Sequence, residues 1–200
     1  MSESTEDLSL NLLTIEQQTE KSQYLIEPAE IVQFPLSERT KKLVDLMIEK
    51  TVDMQAAGFA ASQFGEFLKI IVYRVSSLSI EARSLDLSEE VPLTVLINPS
   101  YQGIEEDGKN HEWEGCFSVE NKCGKPPRYN SIHYQGFTVN GDKVQGRASG
   151  FLARVLQHEI DHTNGILFTT RLTPDCVQGT PEEMAPIREK EYAERKKHQE

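Results

Sequence analysis

The segment GFLARVLQHEIDHTN, residues 150–164, constrains this 200-residue chain more than any other. Its apolar residues Leu152, Val155, Leu156 and Ile160 fall on both sides of a helical wheel, so a helix formed here must be buried. Yet the same stretch carries His158, Glu159 and His162 in the pattern H-E-x-x-H. Ionisable groups on a buried helix are costly unless they are paired or bound. Residues four apart share one helix face, with Cβ atoms about 5–6 Å apart, so both imidazoles can reach one metal ion at about 2.0–2.1 Å. Glu159 projects beside them and can handle the protons of a water on that ion. The rest of the chain must fold around this helix, and a third ligand must complete the site.

That surrounding chain reads as α+β. Ser37 is placed to cap a helix through ERTKKLVDLMIEKTVDMQAA, whose Leu43, Leu46, Met47 and Met54 fall near one face, with Gly58 as its expected stop. KIIVYRV and LTVLINPSY are continuous β-branched, apolar runs and read as core strands. The polar segment between them, 76–92, is long for a hairpin and reads as a surface excursion. SIHYQGFTVNGDKVQGRA alternates as two strands, with NGD as a tight turn. Ser149 is then placed to cap the H-E-x-x-H helix and Gly165 to close it. The expected architecture is antiparallel or mixed β-sheets packed around that central helix, with an N-terminal helix and a polar, surface-lying C-terminal helix. Residues 1–8 read as a mobile tail, 9–175 as one catalytic domain, and 176–200 as a helical extension.

Charge and cysteine count narrow the function classes. The formal net charge of −11 argues against nonspecific nucleic-acid binding, DNA included. No apolar run approaches the roughly 20 residues of a membrane-spanning helix, and the acidic start MSESTEDLSL lacks the pattern of a secretory or transit signal. A cytoplasmic protein with no membrane partner is the expectation. Three cysteines, Cys116, Cys123 and Cys176, do not make a disulfide scaffold.

Two residues compete to be the third ligand. Glu182 follows His162 at a spacing that some zinc metalloproteases use, and would make the protein a peptide-bond hydrolase. It stands in TPEEMAP, where acidic residues are explained by the dipole of a helix start. Cys116 stands in EGCFS beside a short apolar run, and a thiolate is a strong ligand for a borderline divalent ion.

EGCFS and QHEIDH resemble two of the three signature motifs of the peptide deformylase family, and AAGFAASQ, residues 56–63, is similar to the third. The motifs occur in the family's order, and the similarity runs from about Leu10 to about Thr173. The resemblance implies that Cys116, His158 and His162 are the metal ligands, with a fourth position left open for water, as catalytic sites require. It implies removal of the formyl group from the N-terminal methionine of new bacterial polypeptides, with release of formate. Glu159 would then carry a proton from the attacking water to the leaving amine, while the Gln63 amide and the backbone N–H of Phe117 receive the oxyanion. The physiological ion in the family is usually Fe(II), and the ligand types also accept zinc, nickel or cobalt.

The substrate side is read from the same alignment of motifs. Gly58 and Phe59 belong to the segment that pairs with the peptide like an added strand, Gly58 allowing close approach. Phe151 and Val155 share the helix face of His158 and would line an apolar methionine pocket. Arg128, in PPR, is similar to the family's arginine after the cysteine motif, placed to bind a carboxylate or to hold the loop. Gln157 would orient neighbouring groups behind the ligands.

The sequence departs from the family at Ala56, where glycine is usual, at Phe117, where leucine is usual, and across ENKCGKPP. These departures admit a deformylase with altered substrates or weak turnover. Formyl-Met nascent peptides are the implied partner. A transient ribosome contact follows from that role, although RKKH is the only basic cluster in the last 20 residues.

Overall fold

A computed structural model describes residues 10–83, 85 and 90–198. The expected tail 1–8 lies outside the described residues, as does part of the excursion. Helix α1 spans Glu38–Asp53, and the Ser37 hydroxyl accepts from the Thr40 N–H as its cap. Of the expected face Leu43 and Met47 are buried and Leu46 and Met54 partly buried, with Val44 buried beside them. The helix ends earlier than Gly58, because Gln55 turns the chain in the left-handed region at φ 51°. Gly58 instead opens strand β1, Gly58–Ala60.

A five-stranded antiparallel sheet forms the centre. Strands β2 (Ile70–Val75), β3 (Val91–Gly103), β8 (Ser131–Phe137) and β9 (Lys143–Ser149) join β1 in the order β1-β2-β3-β8-β9. The β8–β9 turn closes with Gly141 at φ 88° and a Thr138 N–H to Asp142 carbonyl bond of 2.8 Å. The smaller strands are β4 (Lys109–His111), β5 (Glu114–Cys116), β6 (Val119–Gly124), β7 (Pro127–Tyr129) and β10 (Gln178–Gly179). They make a three-stranded sheet, β10-β6-β5, and the pair β4-β7.

Continuous apolar runs in β2 and β3 are explained by two cores. Ile70, Val72 and Ile97 face α1, packing with Leu43 and Met47. Ile71 and Leu96 face the other way, onto helix α3, Gly150–Thr163, packing with Ala153, Leu156 and Ile160. A strand covered on both faces has no solvent side to alternate with. Helix α3 begins after Ser149 and ends with Gly165 at φ 70°, but the Ser149 side chain makes no capping bond.

Two elements differ from expectation in consequence rather than kind. Part of the excursion is a short helix, α2 (Ser77–Arg83), capped by Ser76 Oγ accepting from the Ser79 N–H and anchored by buried Ile80. The C-terminal helix α4, Pro181–Lys197, buries no residue fully. It is nonetheless pinned: Trp113 Nε1 and Lys125 Nζ both donate to Glu191, at 2.8 and 2.9 Å, and Arg195 donates to Glu112 at 2.6 Å.

Candidate active site

Helix α3 presents His158 and His162 side by side, with ring centroids 5.0 Å apart. The β5–β6 hairpin brings Cys116 to them, its sulfur 3.3 Å from His162 Nε2. One ligand atom from each residue lies within 4.8 Å of the others. A sulfur and a nitrogen on one tetrahedral ion stand about 3.5 Å apart for bonds of ~2.3 and ~2.0–2.1 Å, so the donors fit a divalent ion of borderline softness. Glu182 is not among them. It is exposed in the first turn of α4, and Cys116, His158 and His162 form the only such cluster among the described residues. The downstream-glutamate site of a metalloprotease is therefore not formed.

Glu114 is the residue that sequence reasoning missed. It is buried, and its carboxylate accepts from His158 Nδ1 at 2.9 Å, which leaves Nε2 to face the cluster. Arg128 donates to both Glu114 oxygens, at 2.9 and 3.0 Å, and Arg154 donates to it at 2.6 Å. Burial pushes the Glu114 carboxyl up, but Arg128 and the His158 bond outweigh it and hold it well below the usual carboxylate range. No sequence signal marked it, because its partners come from other elements.

Arg128 is committed to carboxylates inside the protein. It is buried, is shared between Glu114 and Asp161, and does not line the cavity. Its expected place among the substrate-binding residues is corrected accordingly: its Nε, Nη1 and Nη2 already donate to internal carboxylates. Asp161 also takes Arg171, at 2.5 and 2.7 Å, and the Tyr101 hydroxyl at 3.1 Å. Gln157 ties α3 to β7 through both backbone groups of Tyr129, each at 3.0 Å, and bonds no ligand.

A cavity of about 360 Å³ opens onto Cys116, His158 and Glu159. Gln63, Phe117, Phe151, Val155 and Gly58 line it. Phe59 does not: its side chain is buried in the core, its ring 5.0 Å from that of Phe64. Only the backbone of Phe59 belongs to the sheet's end strand. Gly58 also leaves room for a neighbour within the protein. A Cβ there would lie 2.8 Å from the Glu159 side chain, so the glycine lets the glutamate approach closely. Ala56 is buried without a left-handed backbone, so the missing glycine costs no strain.

Glu159 is buried, and its Oε2 has no hydrogen-bond partner. Burial raises its pKa to about 7, with Glu114 adding to the rise and His158 opposing it. Gln63 accepts from the Ala60 N–H at 2.9 Å and donates to Ser118 Oγ at 3.1 Å, with Nε2 3.6 Å from the Cys116 sulfur. Phe117 sits in the turn between β5 and β6, 45% exposed at the cavity rim.

The polypeptide deformylase family model matches residues 13–178. The chain belongs to the peptide deformylase family. It is 39% identical over 186 residues to peptide deformylase 2 of Rickettsia conorii, covering 92% of this chain and 90% of the relative. It superposes on the Thermotoga maritima peptide deformylase with a TM-score of 0.68 at 25% identity, covering 84% of this chain and 99% of that one. An Acinetobacter baumannii class I type b deformylase with Met-Ala-Ser bound gives the same TM-score and identity, covering 84% of this chain and 100% of that one. Peptide deformylases depend on a metal, and the Cys116, His158 and His162 cluster is where this chain can hold one.

Proposed function

We propose that the protein removes the N-terminal formyl group from formyl-methionine peptides, releasing formate and a free amine. The observation that carries this reading is the cluster itself. A cysteine sulfur and two imidazoles meet beside an orphaned glutamate on a cavity sized for a peptide end, in a chain of the deformylase family. A relative that binds Met-Ala-Ser, the product such a reaction would leave, supports it. Catalytic unit and extension are read as 9–175 and 176–200, close to the matched span.

Held by Cys116, His158 and His162, a divalent ion supplies Lewis acidity, acidifying water and polarising a carbonyl oxygen. Fe(II) is the ion we propose, with zinc, nickel or cobalt as substitutes that the same donors accept. Glu159 does the proton work: it takes the proton of the attacking water and returns it to the leaving amine. The Gln63 amide and the Phe117 N–H donate to the developing oxyanion. The substrate backbone pairs with end strand β1 at Gly58–Ala60, and its methionine side chain enters between Phe151 and Val155. Nascent chains make the ribosome a transient partner and the cytoplasm the place of action. Among the described residues no helix is long and apolar enough to cross a membrane.

Formate release from formyl-Met-Ala-Ser by anaerobically purified protein tests the reading. Cys116→Ala should lose metal and activity together. Glu159→Ala should keep the metal while turnover falls by roughly 10²–10⁴-fold, the share of a general acid–base. Full activity in Cys116→Ala would sink the proposal.

A further inference from the structure

Behind the pocket wall lies a second cavity of about 140 Å³. The two cavities share three lining residues: Arg83, Phe151 and Arg154. Arg154 is buried and bound to Glu114 and Asn110, so it belongs to the frame. Arg83 and Phe151 form the rest of the partition. The Arg83 guanidinium carbon sits 4.5 Å above the Phe151 ring centre. Arg83 comes from α2, the helix within the 76–92 segment, and is held from behind. Its Nη1 donates to the Trp113 carbonyl at 3.1 Å and to the Tyr192 hydroxyl at 3.2 Å, while Arg195 of α4 donates to the Arg83 carbonyl at 3.2 Å.

The position of this partition along α3 sets a length. Phe151 precedes the metal-site residue His158 by seven residues, roughly 10 Å at ~1.5 Å per residue. Val155 lies between them on the same helix face. A side chain whose backbone is held at the metal end therefore runs along Val155 and meets the Arg83–Phe151 pair.

We propose that Arg83 is a specificity-determining residue: stacked on Phe151, it closes the deep end of the side-chain pocket and limits the length of the unbranched side chain the pocket accepts. Tyr192, reaching over from α4, is its positioning residue. The inference rests on the deformylase reading of the site, and concerns which N-terminal residue is taken, not how the formyl group leaves. Removing the Arg83 side chain joins the two cavities and makes room for further methylenes.

The test compares formyl-Met-Ala-Ser with formyl-2-aminooctanoyl-Ala-Ser, whose side chain is two atoms longer, on wild type, Arg83→Ala and Tyr192→Phe. The measured quantity is the ratio of kcat/KM for the long substrate to that for the methionine substrate. In Arg83→Ala this ratio should rise roughly tenfold, the scale of burying two more methylenes. Tyr192→Phe should move it in the same direction by about two- to threefold, as expected of one lost hydrogen bond. Metal content and circular dichroism report that each variant is folded. An unchanged ratio in folded Arg83→Ala overturns the proposal, as does an equal loss on both substrates, which marks a purely structural clamp. If wild type releases no formate from either peptide, the deformylase reading fails. The length limit is then read by titration calorimetry with the unformylated peptides Met-Ala-Ser and 2-aminooctanoyl-Ala-Ser. There, the same rise in relative affinity in Arg83→Ala upholds the proposal and equal relative affinities overturn it.

Discussion

At the scale of single residues, His158 owes its orientation to Glu114. A neutral imidazole has one N–H, and the carboxylate draws it to Nδ1, so the other nitrogen is free to ligate. Replacing Glu114 with Gln keeps the shape but removes the charge, and should weaken metal binding roughly 10–100-fold. Competition against a chelator would measure this, and an unchanged affinity would dismiss the role. The ligand residues themselves were legible because H-E-x-x-H and EGCFS carry them in short, ordered stretches. Glu114 was not, since a carboxylate near a cysteine says nothing of a histidine 44 positions later. Arg128 shows the same limit from the other side. Its residue type suits a substrate carboxylate or an internal one, and only tertiary contact decides which.

At the scale of elements, α1, α3 and the long strands could be read from the chain because each carries its own pattern. The segment 76–92 could not, because α2 is short, mostly polar and held by partners from other elements. The C-terminal helix was readable as a helix, while its docking was not. Glu191 anchors that docking. Burial pushes its carboxyl up, but the bonds from Lys125 and Trp113 outweigh this and lower it. A depressed carboxyl adds stability above its unfolded value of about 4.3, and that stability is lost as pH falls through the folded value. Amide exchange along α4, corrected for the intrinsic rate, should therefore quicken as the solution is acidified below about pH 4. Glu191→Gln should flatten that dependence; parallel profiles for the two proteins would remove Glu191 as the cause.

At the scale of the whole molecule, two cores on either side of one sheet set the position of α3, and a buried ionic network sets what surrounds it. Glu114, Arg128, Asp161 and Arg171 run from the metal-site histidine through the interior, with Arg171 partly exposed at the far end. Arg128→Met removes the shared cation and leaves two buried carboxylates less compensated. Breaking such a network from one side costs about 3–5 kcal/mol. Urea unfolding should report this as a lower midpoint with an unchanged slope, and a variant as stable as wild type would show the network to be neutral.

Cys116 rides on a small hairpin, whereas His158 and His162 ride on the most deeply packed helix, 42 and 46 residues further along the chain. An ion joining them is a cross-link between two parts of the polypeptide, much as a disulfide would be. Closing a loop of that length in the unfolded chain corresponds to about 4 kcal/mol in the chain-entropy account. Chelation, or oxidation of the Cys116 sulfur, would therefore act like reducing a disulfide. The hairpin and the rim it carries would loosen first, while α3 stays clamped between the sheet and its buried charges.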